Sequence, residues 1–258
     1  MKVLQVNLQH KKAASSAFVK NFLSKNVSVA LIQEPWVSKG RIRGLSIPGC
    51  EIFYDKTAER PRTCIVLRKD LQALAASEYC NADSTSVRLK LEGNSNTRGI
   101  MFASVYMPGE EKNPPNKRVE DMIRDCRGSG QQVIIGCDAN AHHTAWGNKD
   151  VNDRGESILD FILDNNLELL NEGVEPTFSA RGAATIIDLT LSSEGVSKRI
   201  RGWHVSNEPS LSDHRYIIFS VDNPVGRLFT FRNPRATNWG LYKEDLDGSL
   251  RDAGGADE

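Results

Sequence analysis

Two polar side chains follow an apolar stretch near the middle of the sequence. The apolar stretch runs from Val133 to Cys137 and predicts a buried strand, and Asp138 and Asn140 come directly after it. Residues two apart in an extended chain project to the same side, so this carboxylate and this carboxamide point together beyond the strand end. Strand ends are a common place for a catalytic site in a layered α/β protein, so the pair predicts a cleft with chemistry in it.

Similar polar groups lie at or near the ends of other predicted strands. They are Asn7, Glu34, Tyr106 and the Asp213-His214 pair that precedes the last strand. Asp188 lies within an otherwise apolar strand, where a lone carboxylate is costly unless it is paired or binds a cation. Each residue taken alone has a structural explanation, such as a turn, a cap or rim packing. Taken together they indicate one site.

The types of these side chains limit the chemistry. Carboxylates and carboxamides without a cysteine cluster favour a hard divalent cation, Mg²⁺ or Mn²⁺, over zinc. A histidine next to an aspartate is typical of an imidazole that a carboxylate orients. The sequence has neither a nucleophile elbow nor a glycine-rich P-loop. The set therefore predicts hydrolysis of a phosphate ester by water.

Length and composition set wide bounds. The chain has 258 residues, which suits one large domain or two small ones. Its 33 lysines and arginines balance 33 aspartates and glutamates, so net charge neither indicates nor excludes a nucleic-acid partner. Five scattered cysteines without a CxxC spacing favour a reducing, intracellular compartment over zinc or disulfides. No apolar run approaches the roughly 20 residues of a membrane helix, so no membrane partner is expected.

The hydrophobic pattern predicts strands in blocks rather than in strict alternation with helices. Predicted strands cover residues 1–8, 27–33, 50–55, 63–68, 76–81, 85–91, 98–106, 132–137, 185–192, 200–206 and 215–221. Predicted helices cover residues 14–25, 116–127 and 153–165. This order favours an α/β (α+β) sandwich of two mixed, mainly antiparallel sheets flanked by helices. Residues 1–222 form the predicted domain, and 223–258 a tail or linker with one short helix near 240–250.

The order of these motifs resembles that of the exonuclease III/abasic-endonuclease superfamily, which also contains deoxyribonuclease I and inositol-phosphate phosphatases. The resemblance covers roughly residues 1–222. Two positions depart from the superfamily pattern. Cys137 and Ala139 flank Asp138 where glycine and phenylalanine are usual, and Leu189 follows Asp188 where an aromatic residue is more typical.

Further residues resemble one branch of that superfamily. They are the His142-His143 pair with Trp146-Gly147, the Ser-Asp-His form of the last motif, and the tail segment from Arg232 to Trp239. This pattern is similar to the endonuclease domain of insect non-LTR retrotransposons of the R1/TRAS-like branch. In that branch the domain precedes a reverse transcriptase in one polyprotein.

The resemblance implies a two-sheet sandwich with the site at one edge, where the sheets meet. It implies Mg²⁺ or Mn²⁺ as cofactor and assigns Glu34 and Asn7 to the metal, with Asp213 as a further metal candidate. The implied catalytic residues are Asp138, Asn140, His214, Asp188, Tyr106 and Asp213. Asp138 would orient or deprotonate water, and His214 would bind the scissile phosphate. We expect Asp188 rather than Asp213 to orient His214.

A neutral chain must hold DNA through local positive charge. The candidates are Arg41, Arg43, Arg62, Lys198, Arg199 and Arg181, with His142 as an accessory residue. Each of these charges, taken alone, is more simply a solvated surface group. The turn at Arg181 is the most informative, because a hairpin there would protrude beside Asp188 and could enter a DNA groove.

The expected function is a metal-dependent endonuclease that nicks one strand of duplex DNA in the nucleus. The nick would carry a 3′-hydroxyl that primes reverse transcription by a downstream domain. Alternatives are an abasic-site repair endonuclease, a phosphomonoesterase of the same fold, and a DNA-binding remnant with an inactive site. The complete set of polar groups argues against the last.

Overall fold

In the computed structural model, the described residues are 1–90, 99–111, 114–180 and 182–222, together with Gly240 and Lys243. The chain divides into two compact units, Met1–Gly226 and Arg227–Glu258. The tail helix predicted near 240–250 lies outside the described residues except at Gly240 and Lys243, which are helical. No helix in the described part of the chain has both the length and the hydropathy needed to cross a bilayer.

Short strands dominate the first unit. In chain order they are β1 (Lys2–Asn7), β2 (Val29–Gln33), β3 (Val37–Ser38), β4 (Arg41–Ile42), β5 (Cys50–Phe53), β6 (Thr63–Arg68), β7 (Ala73–Ala75), β8 (Ser84–Leu89), β9 (Ile100–Tyr106), β10 (Gln132–Asp138), β11 (Leu167–Leu169), β12 (Phe178–Ala180), β13 (Ala183–Thr185), β14 (Asp188–Ser193), β15 (Ile200–Val205) and β16 (Ile217–Val221). The α-helices are α1 (Lys12–Ser24), α2 (Lys117–Ser129), α3 (Asp153–Asp164) and α4 (Glu194–Ser197). Single 3₁₀ turns cover Ser77–Tyr79 and Thr144–Trp146.

Two six-stranded sheets form the sandwich. Sheet I has the order β15-β16-β1-β2-β6-β5, and sheet II has the order β11-β14-β10-β9-β8-β7. Each sheet contains one parallel pair, β1 with β2 and β9 with β10, and its remaining pairs are antiparallel. Helices α1 and α2 connect the parallel pairs, because parallel neighbours need a crossover. The carboxyl ends of all four central strands therefore carry the polar residues predicted to form the site.

Alternating side chains divide the core into layers. Leu4 of β1 packs with Phe18 and Phe22 of α1 on the outer face of sheet I. Val3, one residue earlier, faces the opposite way into the core between the sheets, where it joins Ile134 of β10. Helices α2 and α3 cover the outer face of sheet II in the same manner. The strands are thus buried on both faces, which explains their nearly continuous apolar sequences.

Buried amides join the two sheets near the site. Gln5 donates from Nε2 to the carbonyl oxygens of Cys137 (3.2 Å) and Leu189 (3.1 Å) in sheet II. Gln33 donates to the carbonyl oxygen of Gly136 at 2.9 Å. A Cβ atom at Gly136 would lie only 2.7 Å from Gln5 Oε1, so this glycine permits the close approach. Buried amides require partners, and these bonds fix the position of one sheet against the other.

The two-sheet sandwich is confirmed, and two predicted strands are corrected. Residues 76–81 contain the 3₁₀ turn Ser77–Tyr79 rather than a strand, because the backbone N–H groups of Tyr79 and Cys80 donate to the carbonyls three residues earlier, those of Ala76 and Ser77. The segment 185–192 is divided between β13 and β14. The hydroxyl of Thr177 accepts from the backbone N–H groups of Ile187 and Asp188. The N–H of Ile187 is therefore not available for a bond to a neighbouring strand.

Candidate active site

A cleft of about 330 Å³ opens at the carboxyl ends of the central strands, where the two sheets meet. Most of the residues singled out in the sequence line it. They are Glu34, Tyr106, Asp138, Asn140, His142 and His214. Phe178, Thr185 and Ile187 add an apolar wall from the β12–β13 hairpin and the segment after it. The site combines charged groups from both sheets on one side with this wall on the other.

The registers of the strands determine which polar groups meet. Asp138 at the end of β10 pairs directly with Asp188 at the start of β14, and its parallel neighbour on β9 is Tyr106. His214 lies just before β16, and its Nδ1–H donates to Asp188 Oδ2 at 2.9 Å. The other ring nitrogen, Nε2, is 3.9 Å from Asp138 Oδ2. One imidazole therefore bridges two buried carboxylates of sheet II.

Burial and neighbouring charges together raise the pKa of both Asp138 and His214. Burial raises the pKa of Asp138, and the neighbouring Asp188 carboxylate raises it further, to about 7. Burial lowers the pKa of His214, but Asp188 and Asp138 more than offset this and raise it to about 9. Between these values Asp138 is an ionised base and His214 a cation, which suits general base catalysis beside a phosphate.

Two asparagines hold the Asp138 carboxylate. Asn7 is fully buried and donates from Nδ2 to Asp138 Oδ2 at 2.7 Å, while its Oδ1 accepts from the backbone N–H of Gln9. The backbone N–H of Asn140 donates to Asp138 Oδ1 at 3.1 Å, and its carboxamide donates to the carbonyl of Met107. Asn140 has a left-handed backbone (φ 45°), which an asparagine tolerates better than most residues. Both asparagines orient Asp138.

Glu34 lines the cleft next to the end of β2. Its carboxylate lies 3.3 Å from Nε2 of His10, and Asn7 also bonds to it. Burial raises the pKa of Glu34, but the bonds from His10 and Asn7 outweigh burial and hold the pKa below its usual value. The hydrogen bond to Glu34 raises the pKa of His10 against the effect of burial. Glu34 is thus an ionised, partly exposed carboxylate.

Tyr106 lines the cleft and packs against Arg62. The guanidinium carbon of Arg62 lies 5.1 Å from the centre of the Tyr106 ring, a cation–π arrangement. Arg62 is held there by Asp83, which it also binds through Nη2 at 2.7 Å. Burial, with Glu34 and Asp138 nearby, raises the pKa of the Tyr106 phenol. The phenol therefore keeps its proton and can act as a hydrogen-bond donor.

Asp213 lies apart from the other candidate residues. Its carboxylate accepts from Lys11 at 3.0 Å and from Gln9 at 3.2 Å, and it does not line the cleft. The bonds from Lys11 and Gln9 keep its pKa below the usual range. The structure therefore assigns the orientation of His214 to Asp188 and gives Asp213 a place in the loop that precedes β16.

The candidate DNA-binding residues occupy different places. Arg41 and Arg43 are exposed on and beside the β3–β4 hairpin, which follows Glu34 directly in the chain. His142 lines the cleft, and its Nδ1 is 2.8 Å from Asp150, which leaves Nε2 for the cleft. Arg181 lies outside the described residues.

Lys198 and Arg199 lie away from the cleft, and their contact with DNA stays a prediction. They precede Ile200, which pairs with Val221 at the far end of β16 from His214. The length of β16 separates them from the cleft by about 15 Å. Their charges are engaged by nearby oxygens of Glu194 and Asp222. Sequence proximity to a predicted strand did not reveal at which end of that strand they would lie.

Two sets of side chains could hold a metal ion. Among the described residues, Asp138, Asp188 and His214 bring ligand atoms within 4.8 Å of one another. All three are buried, and Nδ1 of His214 is already committed to Asp188. Glu34 offers a more accessible carboxylate on the same cleft. Carboxylate donors of this kind fit a hard divalent cation.

Two supporting residues had no signal in the sequence. His10 lies beyond the end of β1 and approaches Glu34 only because the chain turns back there. Arg154 on α3 resembled a solvated helix residue, yet its guanidinium donates to the backbone carbonyls of Asn140, Met107, Ala139 and Glu111. It ties together the two loops that follow β9 and β10. An internal arginine near a helix start is too common to be informative.

Comparisons with known proteins agree with this geometry. The sequence profile of the family described as endonuclease-reverse transcriptase matches residues 100–218. Among solved structures, the endonuclease domain of TRAS1, a telomere-specific non-LTR retrotransposon, is 27% identical with a TM-score of 0.73, covering 87% of this chain and 99% of that one. No sequence among the curated proteins matches.

More distant structures share the fold. The AP endonuclease LMAP from Leishmania major is 12% identical, with a TM-score of 0.64 over 86% of this chain and 88% of that one. The 3′-5′ exonuclease NExo from Neisseria meningitidis is 14% identical, with a TM-score of 0.59 over 86% of this chain and 100% of that one. In its two-sheet fold and its sequence this chain is thus similar to APE-like endonucleases of the non-LTR retrotransposon type.

Proposed function

We propose that the domain nicks one strand of duplex DNA, leaves a 3′-hydroxyl, and so supplies the primer for a reverse transcriptase in the same polyprotein. One observation carries this proposal most directly. Asp188 holds His214 beside Asp138, which supplies a base and a cation next to each other in an open cleft. The cleft is lined on one side by ionisable groups and on the other by an apolar wall, as a phosphate ester beside its sugar would require.

The residues divide the reaction between them. Asp138 takes a proton from the attacking water as the water oxygen bonds to phosphorus. The bond from phosphorus to O3′ breaks, and the departing oxygen takes up a proton from cleft water to become a 3′-hydroxyl. His214 donates from Nε2 to a phosphate oxygen and stabilises the charge that develops there. The Tyr106 phenol, which keeps its proton, donates to the same phosphate or to the departing oxygen.

Glu34 is the residue we assign to a divalent cation, Mg²⁺ or Mn²⁺. The cation would supply charge for the phosphate oxygens when it is bound. The ionised and partly exposed Glu34 carboxylate fits this assignment, because a hydrated ion can reach it from the cleft. The carboxamide of Asn7 is already engaged in hydrogen bonds. We therefore assign Asn7 to the orientation of Asp138 and Glu34 rather than to direct binding of the ion.

A plasmid assay tests the proposal. We expect supercoiled DNA to become nicked circles with Mg²⁺ and to stay supercoiled with EDTA. DNA ligase should reseal the nicks, because it requires a 5′-phosphate and a 3′-hydroxyl. Asp138→Asn and His214→Gln should each lower the rate by at least about 100-fold. Undiminished nicking by either variant, or nicks that ligase cannot seal, would overturn the assignment.

The same assay separates the alternatives. An abasic-site enzyme would cut a duplex with one abasic site far faster than an intact duplex, and a phosphomonoesterase would release phosphate from an inositol phosphate. We expect the intact duplex to be the preferred substrate. We further propose that residues 1–222 form the catalytic unit, that 223–258 lead toward the reverse transcriptase, and that the protein acts in the nucleus, where chromosomal DNA lies.

A further inference from the structure

We propose that His10 provides a nitrogen ligand beside Glu34, so that the two side chains form a mixed imidazole–carboxylate site for a first-row transition metal such as Mn²⁺. The inference rests on the proposed function, because it specifies the cation that Glu34 is assigned to hold. The sequence pointed only to oxygen donors here, which suit Mg²⁺ and Mn²⁺ alike. A nitrogen donor changes the expected metal preference.

The hydrogen bonds of His10 fix which ring nitrogen is available. Its Nδ1 lies 3.0 Å from the carbonyl oxygen of Pro35, and a carbonyl oxygen can only accept, so Nδ1 carries a hydrogen. Nε2 is directed at Glu34 Oε1, 3.3 Å away. Two neighbouring ligands of one cation, with bonds near 2.1 Å, lie about 3 Å apart. The two atoms are therefore spaced as ligands of a single ion would be.

Solvent can reach both side chains. The side chain of His10 is 33% exposed and that of Glu34 is 19% exposed. Glu34 and Asp138 both line the cleft. An ion held between His10 and Glu34 would therefore lie at the edge of the cleft that contains Asp138. An incoming hydrated cation needs no rearrangement of the sheets to reach these atoms.

The backbone around His10 is held in an unfavourable conformation. Gln9 (φ 48°) and His10 (φ 55°) are consecutive non-glycine residues in the left-handed region, and Glu34 (φ 44°) is a third. This conformation is unfavourable for L-residues, because the Cβ atom comes too close to the following carbonyl oxygen. The turn is held by the His10 N–H, which donates to the carbonyl of Glu34 at 2.7 Å. Backbone strain of this kind is common at functional sites, and here it serves to bring His10 onto Glu34.

A simple ion pair accounts less well for the same geometry. A partly exposed histidine–carboxylate pair contributes little to stability. Such a pair would not offset two consecutive left-handed residues. An imidazole that lends its Nε2 to a metal gives the strained turn a function, and imidazole ligands suit first-row transition metals better than Mg²⁺.

Metal binding by the whole chain tests the inference without relying on catalysis. Mn²⁺ affinity is measured by the loss of the free-ion EPR signal, and Mg²⁺ affinity by competition with Mn²⁺. Pulsed EPR of bound Mn²⁺ detects a directly bonded ¹⁴N nucleus. We expect Mn²⁺ to bind about tenfold or more tightly than Mg²⁺ and to show ¹⁴N coupling. His10→Gln should abolish that coupling and weaken Mn²⁺ binding about tenfold or more, with Mg²⁺ affinity changed less than about threefold.

Two control variants make the result interpretable. His204 has the same kind of Nδ1 bond, to the carbonyl of Gly202 at 2.8 Å, and is exposed on β15, so His204→Gln should leave affinity and ¹⁴N coupling unchanged. Glu34→Gln should abolish tight binding of both metals. Absence of ¹⁴N coupling in the unaltered protein would overturn the proposal that His10 binds the ion. Coupling that survives His10→Gln would overturn it as well, because another histidine such as His214 would then be the nitrogen ligand. Unchanged Mn²⁺ binding by Glu34→Gln would overturn the proposed cation site itself.

Discussion

Asp138 and Asp188 face each other across adjacent antiparallel strands, as direct partners in the register of β10 and β14. Two buried carboxylates on neighbouring strands repel each other. His214 offsets this repulsion, because it lies between them and directs one ring nitrogen at each carboxylate. The strand register thus sets the chemistry of the site. A shift of one residue would turn one of the two carboxylates to the other face of the sheet.

Asp188→Asn should lower the nicking rate by about 100- to 10,000-fold, because an asparagine cannot stabilise a protonated His214 or fix its orientation. The matched variant is Asp213→Asn. That carboxylate is adjacent in sequence to His214 but bonds to Lys11 and Gln9, so we expect a change of less than about fivefold. Initial rates on supercoiled plasmid measure both. Equal losses in the two variants would return Asp213 to the catalytic site.

The pH dependence should be bell-shaped. Asp138 must be ionised to accept a proton, so activity falls as the pH drops below about 7. His214 must be charged to stabilise phosphate, so activity falls as the pH rises above about 9. We expect the rate at saturating metal and constant ionic strength to be highest between these values. The residual activity of His214→Gln should lack the fall on the alkaline side, and a fall that persists would assign it to another group.

Arg154→Lys should destabilise the protein by about 2–3 kcal/mol, because a lysine cannot donate to four carbonyls at once. The nicking rate of the folded variant should also fall, since the loop that carries Asn140 loses its anchor. Arg124→Lys is the control, as Arg124 is an exposed helix residue paired with Asp121, and its effect should stay within about 0.5 kcal/mol. Urea denaturation measures both. Equal free energies of unfolding for the two variants would show that the bonds from Arg154 to the four carbonyls are dispensable.

Gly136→Ala should destabilise the protein by about 1–3 kcal/mol, because the new methyl group would lie 2.7 Å from Gln5 Oε1 and 2.8 Å from Leu31 Cδ1. The same change at Gly128, near the end of α2, meets no atom within 4 Å and should be neutral or slightly stabilising. Thermal unfolding of the two variants provides the comparison. A tolerated alanine at position 136 would mean that the sheets can separate without loss of the amide bonds.

Most of the catalytic centre could be predicted from the sequence, because its residues have unusual surroundings. Asp188 was conspicuous as a carboxylate among isoleucines and leucines, and Asp138 and Asn140 follow a strand that ends at their position. The alternation of apolar residues also revealed the long strands of both sheets. Short strands such as β3 and β4 were missed, since two-residue strands carry too few side chains to establish a period.

The remaining features depend on contacts between distant segments. Whether Asp188 or Asp213 meets His214 follows from strand register, which sequence spacing does not contain. His10 approaches Glu34 through a left-handed turn that tertiary hydrogen bonds stabilise against its intrinsic preference. Gln33 resembled an ordinary strand end, and its role in joining the sheets became visible only with its partner Gly136.

The division of the site between the two sheets has a consequence for protein synthesis. Glu34 directly follows β2, whereas His214 lies some 180 residues later in the chain, just before β16, which closes sheet I against β1. A chain that has been translated only as far as Asp188 has both carboxylates but no imidazole between them. A chain that ends before His214 therefore lacks part of the proposed site, and we expect no nicking activity from it.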